Sequence, residues 1–263
     1  MTLAMIRALA LLALAAFILL PFAQAVILSF TATLPREGLA EGSLGLMNYQ
    51  AVLAAPELRA AMVNSAVYVV LNVALCIAVG LPAAYALARF RFVGDRHFLL
   101  AMLVFRVTPP VVLSLPIFIL FSHLGLVNSP VGIALVHCLF NLPVAIWILE
   151  SFIRAVPPEL DETAFLDGHS GPAFFFRHLI PAIAPGIGVA AFFCFVFSWV
   201  EVVFARILTV TAGKPITMAI TAMFGFQTDI GMVMAMTCLS LVPGVAMIWL
   251  VRNHIARGFT LRA

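Results

Sequence analysis

Six stretches of this chain are long, apolar and almost free of charge, and that pattern restricts where the chain can fold. They lie near residues 8–30, 60–88, 98–121, 131–153, 181–208 and 231–251. A helix needs about 20 apolar residues to cross the hydrocarbon core of a bilayer. Inside that core the backbone must satisfy its own hydrogen bonds, so helices are expected for each stretch. Between Arg96 and Glu150 only Arg106 carries a permanent charge, an interval long enough for two helices. The turn-like segment from Ser122 to Pro130 divides it. Only 10% of the 263 residues are charged, against about 25% in soluble domains, so a wet exterior is excluded. The expected fold is an all-α integral membrane bundle of six transmembrane helices, a single domain over 1–263.

The N-terminus admits two readings. Arg7, an apolar run and Ala23-Gln24-Ala25 outline a cleaved secretory signal. The uncharged run continues to Pro35, longer than a signal requires, which favours an uncleaved first span. Orientation follows from the short loops. With the N-terminus inside, Arg7, Arg89, Arg91, Arg96, Arg154, Arg177, Arg252, Arg257 and Arg262 face the cytoplasm, and Arg36, Arg59 and Lys214 face out. Nine against three predicts both termini in the cytoplasm. The basic residues form no run that could follow a phosphate backbone, so nucleic acid is not an expected partner. Cys76, Cys138, Cys194 and Cys238 lie singly in apolar stretches and read as small buried hydrophobes.

One polar interruption is organised. Residues 154–180 begin with Pro157-Pro158, suited to open a helix, and continue with Glu159, Asp161 and Glu162 at its positive end. Gly168 suits a left-handed cap, Gly171-Pro172 makes a second break, and an aromatic helix from Ala173 to Ile180 leads to Pro181. The product is a helix–turn–helix elbow on the cytoplasmic side.

The run Glu162-Thr163-Ala164-Phe165-Leu166-Asp167-Gly168, followed by Leu179-Ile180-Pro181, resembles the cytoplasmic loop of binding-protein-dependent ABC importer permeases. That loop reads E-A-A, three residues and G, then a later proline; Thr163 replaces the middle Ala. Asn141-Leu142-Pro143 before Trp147, Trp199 with Glu201, and Arg257-Gly258-Phe259-Thr260 are similar to the carbohydrate branch, its maltose-permease-G-like half. Val200 stands where that branch usually has Asn between Trp and Glu. The resemblance implies a type I importer permease whose elbow is a coupling helix seated on a separate ATPase. It further implies a second, related permease subunit, two ATP-binding subunits that hold ATP and Mg, and an extracytoplasmic substrate-binding protein, all at a bacterial inner membrane. The cargo it implies is a sugar or polyol. Coupling residues carried over this way are Glu162, Thr163, Ala164, Asp167, Gly168, His169 and Gly171, with Ala164 allowing a close approach.

Other positions bear on a pathway. Arg106 lies within the third stretch, where insertion of an Arg costs about 2.5–3.5 kcal/mol, so it should face protein or water. Either a gating role or a packing ion pair fits it. Thr108-Pro109-Pro110 should kink that helix. Asn141, Trp199 and Glu201 complete the candidate pathway or gate with Arg106 and Pro109. Glu201 and Arg206 are five apart, unfavourable for an intrahelical pair. Asn64, Asn72, Asn141 and Gln227 read as interhelical glue. The stretch from Thr209 to Asp229 reads as either a segment dipping into the outer vestibule or an ordinary loop.

The six histidines show no metal spacing, and no HExxH, GxSxG or phosphate loop is present, so neither a catalytic set nor a metal site is expected. A self-contained secondary transporter or channel is the alternative, opposed by the scarcity of membrane-embedded acids. An intramembrane enzyme would need a nucleophile and base at matching depth.

Overall fold

Prolines open three of the long helices, at a position where the missing N–H costs nothing. They are α3 (Pro56–Arg89), α5 (Pro110–His123) and α6 (Pro130–Ala155). The computed structural model describes residues 3–35, 40–91, 93–225 and 228–260, without the side chains of 3, 95, 96 and 253–260. The remaining elements are α1 (Leu3–Ser29), α2 (Met47–Ala54), α4 (Asp95–Val107), α7 (Glu159–Leu166), α8 (Gly171–Phe174), α9 (Ile180–Ala182), α10 (Ala184–Trp199), α11 (Val203–Leu208), α12 (Ile216–Ala222) and α13 (Ile230–Thr260). Among the described residues the only extended pairing is an isolated bridge between Thr31 and Leu44. Among the described residues four helices are long and apolar enough to cross a membrane, or up to six spans if each of two bent pairs is one span.

Helices α3, α6 and α10 form the centre. Lipid tails are as apolar as Leu, so helix association rests on close packing and buried polar contacts. Both are present. Ala84, Ala145, Ala190, Leu149 and Ile153 are fully enclosed in one cluster. Asn141 Nδ2 donates to Asn72 Oδ1 at 2.8 Å and to the Cys194 carbonyl at 3.3 Å, while Asn72 Nδ2 donates to the Ala134 carbonyl at 3.2 Å. These amides link all three helices, as expected of polar glue. Cys76 and Cys194 are buried beside them and all four cysteines are free. Gln227 lies outside the described residues.

Gly186 permits the α6–α10 approach. A Cβ there would stand 2.4 Å from Phe152 Cγ and 2.7 Å from its Cβ, atoms too near the backbone to swing away. Gly186→Ala should therefore destabilise the bundle by about 1–3 kcal/mol. A lowered melting temperature in detergent checks this.

Two stretches expected as single spans are broken. The third, 98–121, is α4 and α5 meeting at a 98° bend across Thr108-Pro109. Pro109 and Pro110 cannot donate to the preceding turn, and the residue before a proline avoids the α region. Thr108 accordingly is extended, with ψ 126°. The fifth, 181–208, ends as a helix at Trp199; α11 starts afresh at Val203. Its start is also bent, by 80° between the Gly171–Ala182 segment and α10.

At the end of the bundle opposite the elbow, Asn48 donates to the Ser29 and Thr31 carbonyls, tying α2 to the end of α1. Within the Thr209–Asp229 stretch, α12 is a packed element there. Ile216 and Ala219 of α12 share a cluster with Leu58 and Ala61 of α3 and Met236 of α13. Helix α1 packs on α13, and its apolar window is 0% buried within the chain, so that face meets lipid or a neighbour.

Candidate functional site

The elbow is built by local rules. Helix α7 follows Pro157-Pro158, whose carbonyls accept from Leu160, Asp161 and Glu162. It ends in a Schellman motif: the His169 N–H bonds the Ala164 carbonyl and the Gly168 N–H bonds the Phe165 carbonyl, both at 3.1 Å. Gly168 takes the left-handed φ of +81° this requires. Helix α8 then starts at Gly171-Pro172. A π turn over Phe175–Leu179 precedes Pro181, which has no N–H to offer the Arg177 carbonyl.

Most residues assigned to coupling lie on the exposed tip: Glu162, Thr163, Asp167, Gly168 and Gly171. His169 is half-buried, its ring 4.8 Å from that of His178. Ala164 is a correction. It is 3% exposed and packs inward in the cluster that holds Phe174 and Leu179, so it brings the elbow close to its own bundle rather than to a partner. The tip instead presents Leu166, 87% exposed, and half-exposed Phe165.

Sequence reasoning missed the contact beneath the tip. Asp161 faces the bundle and accepts from Arg89 Nε at 2.9 Å, Arg89 Nη2 at 3.1 Å and the Tyr85 hydroxyl at 3.0 Å. Arg89 Nη2 also donates to the Val156 carbonyl at 3.0 Å. Alongside, Arg154 pairs with Glu150 and donates to the Leu87 carbonyl at 2.9 Å. A signal existed in Tyr85 and Arg89, one turn apart on α3, but their partner is 72 residues away.

A second candidate site is a cavity of about 410 Å³ against the α4–α5 bend. Arg106, Asn141 and Glu201 line it, with His137, Phe197 and Phe204. The structure thus gathers three of the five expected pathway residues. Pro109 sits at the adjoining hinge, between the lining residues Thr108 and Pro110. Trp199 does not line this cavity: its ring stacks on Phe195 and its Nε1 donates to the Ser240 carbonyl at 3.0 Å, packing α10 on α13.

Glu201 explains the break in the fifth span. Its Oε1 accepts from the Phe204 N–H at 2.8 Å and its Oε2 from the Ala205 N–H at 3.1 Å, so it caps α11 as a new helix. Its Oε2 also lies 3.3 Å from His137 Nε2, and His137 Nδ1 lies 2.6 Å from Ser198 Oγ. Arg206 is exposed and takes no part. Arg106 lies over the Phe197 ring, 4.1 Å from its centroid, with no ion-pair partner among the described residues. Arg106 lines the cavity, and the Glu201 carboxylate in the same lining is already occupied. Among the described residues no three His, Cys, Asp or Glu side chains are grouped to hold a metal ion.

The model of a family described as the binding-protein-dependent transport system inner membrane component matches residues 76–258. The chain belongs to this family. It is 33% identical to a probable ABC transporter permease protein of Sinorhizobium fredii over 76% of this chain and 72% of that one. It is 29% identical to the trehalose/maltose transport system permease protein MalG of Thermococcus litoralis over 93% and 91%. The crystal structure of a bacterial ABC transporter that imports the acidic polysaccharide alginate contains a chain of the same fold, with a TM-score of 0.78 at 20% identity over 95% of both. The protein is accordingly a multi-pass permease of an ABC importer that works with a substrate-binding protein, and the ATPase is a separate subunit.

Proposed function

We propose that this chain forms half of the translocation pathway of an ATP-driven importer for a small hydroxylated solute, a sugar or polyol. A second, related permease subunit supplies the other half. Two ATP-binding subunits, which carry ATP and Mg, sit below, and an extracytoplasmic binding protein docks above. The elbow and both termini face the cytoplasm of a bacterium, in accord with the distribution of basic residues in the short loops. The cargo class rests on relatives such as the trehalose/maltose permease. The observation that carries the coupling role is the elbow, which presents Glu162, Thr163, Asp167 and an exposed Leu166 on a rigid, capped helix.

In this reading ATP-driven closure of the motor subunits moves the elbow, and the bundle rocks around a site within the membrane. Arg106, Asn141 and Glu201 border the pathway, and Pro109 lies at its hinge. The test is reconstitution of the complete transporter in liposomes with labelled trehalose, maltose, glycerol and sorbitol. Uptake of one of them should require MgATP, the ATP-binding subunits and the binding protein together. Uptake by this chain alone on an ion gradient would establish the secondary-transporter alternative instead.

A further inference from the structure

We propose that Asp161 is a positioning residue that clamps the elbow to α3, and that α3 carries the elbow's movement to the opposite end of the bundle. The inference rests on the coupling role proposed for the elbow.

Helix α7 carries three acids that face differently. Glu159 and Glu162 are exposed, whereas Asp161 is buried together with Ala164, three residues on and on the same face. A carboxylate set only to complement the helix dipole would gain most of its benefit at the surface. Asp161 instead meets Arg89 in a two-point fork, reinforced by Tyr85, and the two charged side chains are each 11% exposed. The fork fixes orientation as well as distance, and its burial protects it from salt. Arg89 binds Val156 as well, so both α7 and the segment entering it are held by one guanidinium. Without these bonds, the loops flanking α7 would absorb a displacement by bending.

Helix α3 is suited to transmit such a displacement. It is 34 residues in one helix, about 50 Å long. Arg89 is its last residue. In its N-terminal half Tyr68 donates to the Gly213 carbonyl, and Ser65 Oγ accepts the Ile216 N–H at 2.8 Å. One continuous helix, with Pro82 inside it, is thus bonded to the elbow at its last turn and to the 209–222 segment through its N-terminal half.

The experiment uses the complete transporter with Cys138 and Cys238 replaced by alanine. Nitroxides are placed at Leu166→Cys on the elbow or Thr211→Cys on the opposite segment, each paired with one at Val245→Cys on α13. Addition of MgATP should shift both distances in the parent protein. In Asp161→Asn the elbow distance should still shift and the opposite-end shift should be lost. Tyr85→Phe, which keeps the ion pair, should give a partial loss. The pair Arg89→Met with Asp161→Leu separates transmission from stability, because apolar replacement of a buried ion pair preserves folding; it should melt like the parent and still lose the opposite-end shift. Full opposite-end shifts in that pair, or in an assembled Asp161→Asn transporter, overturn the proposal. Absence of any elbow shift in the parent would instead overturn the coupling role of the elbow.

Discussion

Glu201→Ala should lower ATP-driven uptake at least tenfold and destabilise the bundle by about 1–3 kcal/mol, the usual scale for leaving a buried hydrogen-bonding group unsatisfied. The reason is that one carboxylate holds three things. It caps α11 through the Phe204 and Ala205 N–H groups, and it fixes His137, which in turn reaches Ser198 on α10. Without it two backbone donors lose their acceptor beside the cavity, where an unsatisfied group costs about 1–3 kcal/mol. The new start of α11 at Val203 also loses its cause, and Val200 to Val203 would tend to continue α10. That would carry Phe204, a wall of the cavity, to a different face. Glu201→Gln keeps the shape and one acceptor oxygen, so it should retain more stability than the alanine variant. Melting temperature in detergent and uptake of the cargo found by reconstitution check both variants. Equal behaviour of Glu201→Ala and the parent would remove Glu201 from the architecture of the cavity.

The same residue shows why part of the fold was legible in the sequence and part was not. Six apolar stretches and the polar elbow follow from the cost of exposing charge or bare backbone to lipid, a property each residue carries by itself. Gly168 was legible for a similar reason, since a left-handed cap is a local demand. The bend at Thr108-Pro109 was announced by its prolines, though a sequence gives a kink and not an angle of 98°. The break after Trp199 had no such marker. Val200, Val202, Val203 and Phe204 are as apolar as a continuing helix, and only the side-chain bonds of Glu201 decide that a new one begins. Long-range partnerships were hidden for the same reason. Arg89 served only to orient the chain and Asp161 only to complement a dipole, because their fork depends on two helices meeting in space. The motif alone suggests a partner contact for Ala164, whereas its place three residues after Asp161 puts it on the inner face.

That division of α7 into two faces sets up the sharpest test of the elbow. Glu162→Lys with Gly168→Trp should release the ATP-binding subunits on purification and abolish ATP-driven uptake, while the permease itself still assembles. Both positions lie on the exposed tip, and a Cβ at Gly168 would meet nothing within 4 Å, so each new side chain starts outside the bundle. The reversal at Glu162 replaces an acid with a base at the surface proposed to face the motor. At Gly168 a bulky residue must hold φ of +81°, which costs about 1–2 kcal/mol, or else undo the Schellman turn. Either way the tip changes shape where a partner would sit. The inner face, with Asp161 on Arg89 and Ala164 in the core cluster, carries neither substitution, so a melting temperature equal to the parent's separates loss of the motor from collapse of the elbow. A variant that melts with the parent but no longer retains the ATP-binding subunits places the interface on this tip. If those subunits stay bound and uptake continues, energy enters the permease elsewhere, and the clamp beneath the elbow would then serve only to fold it.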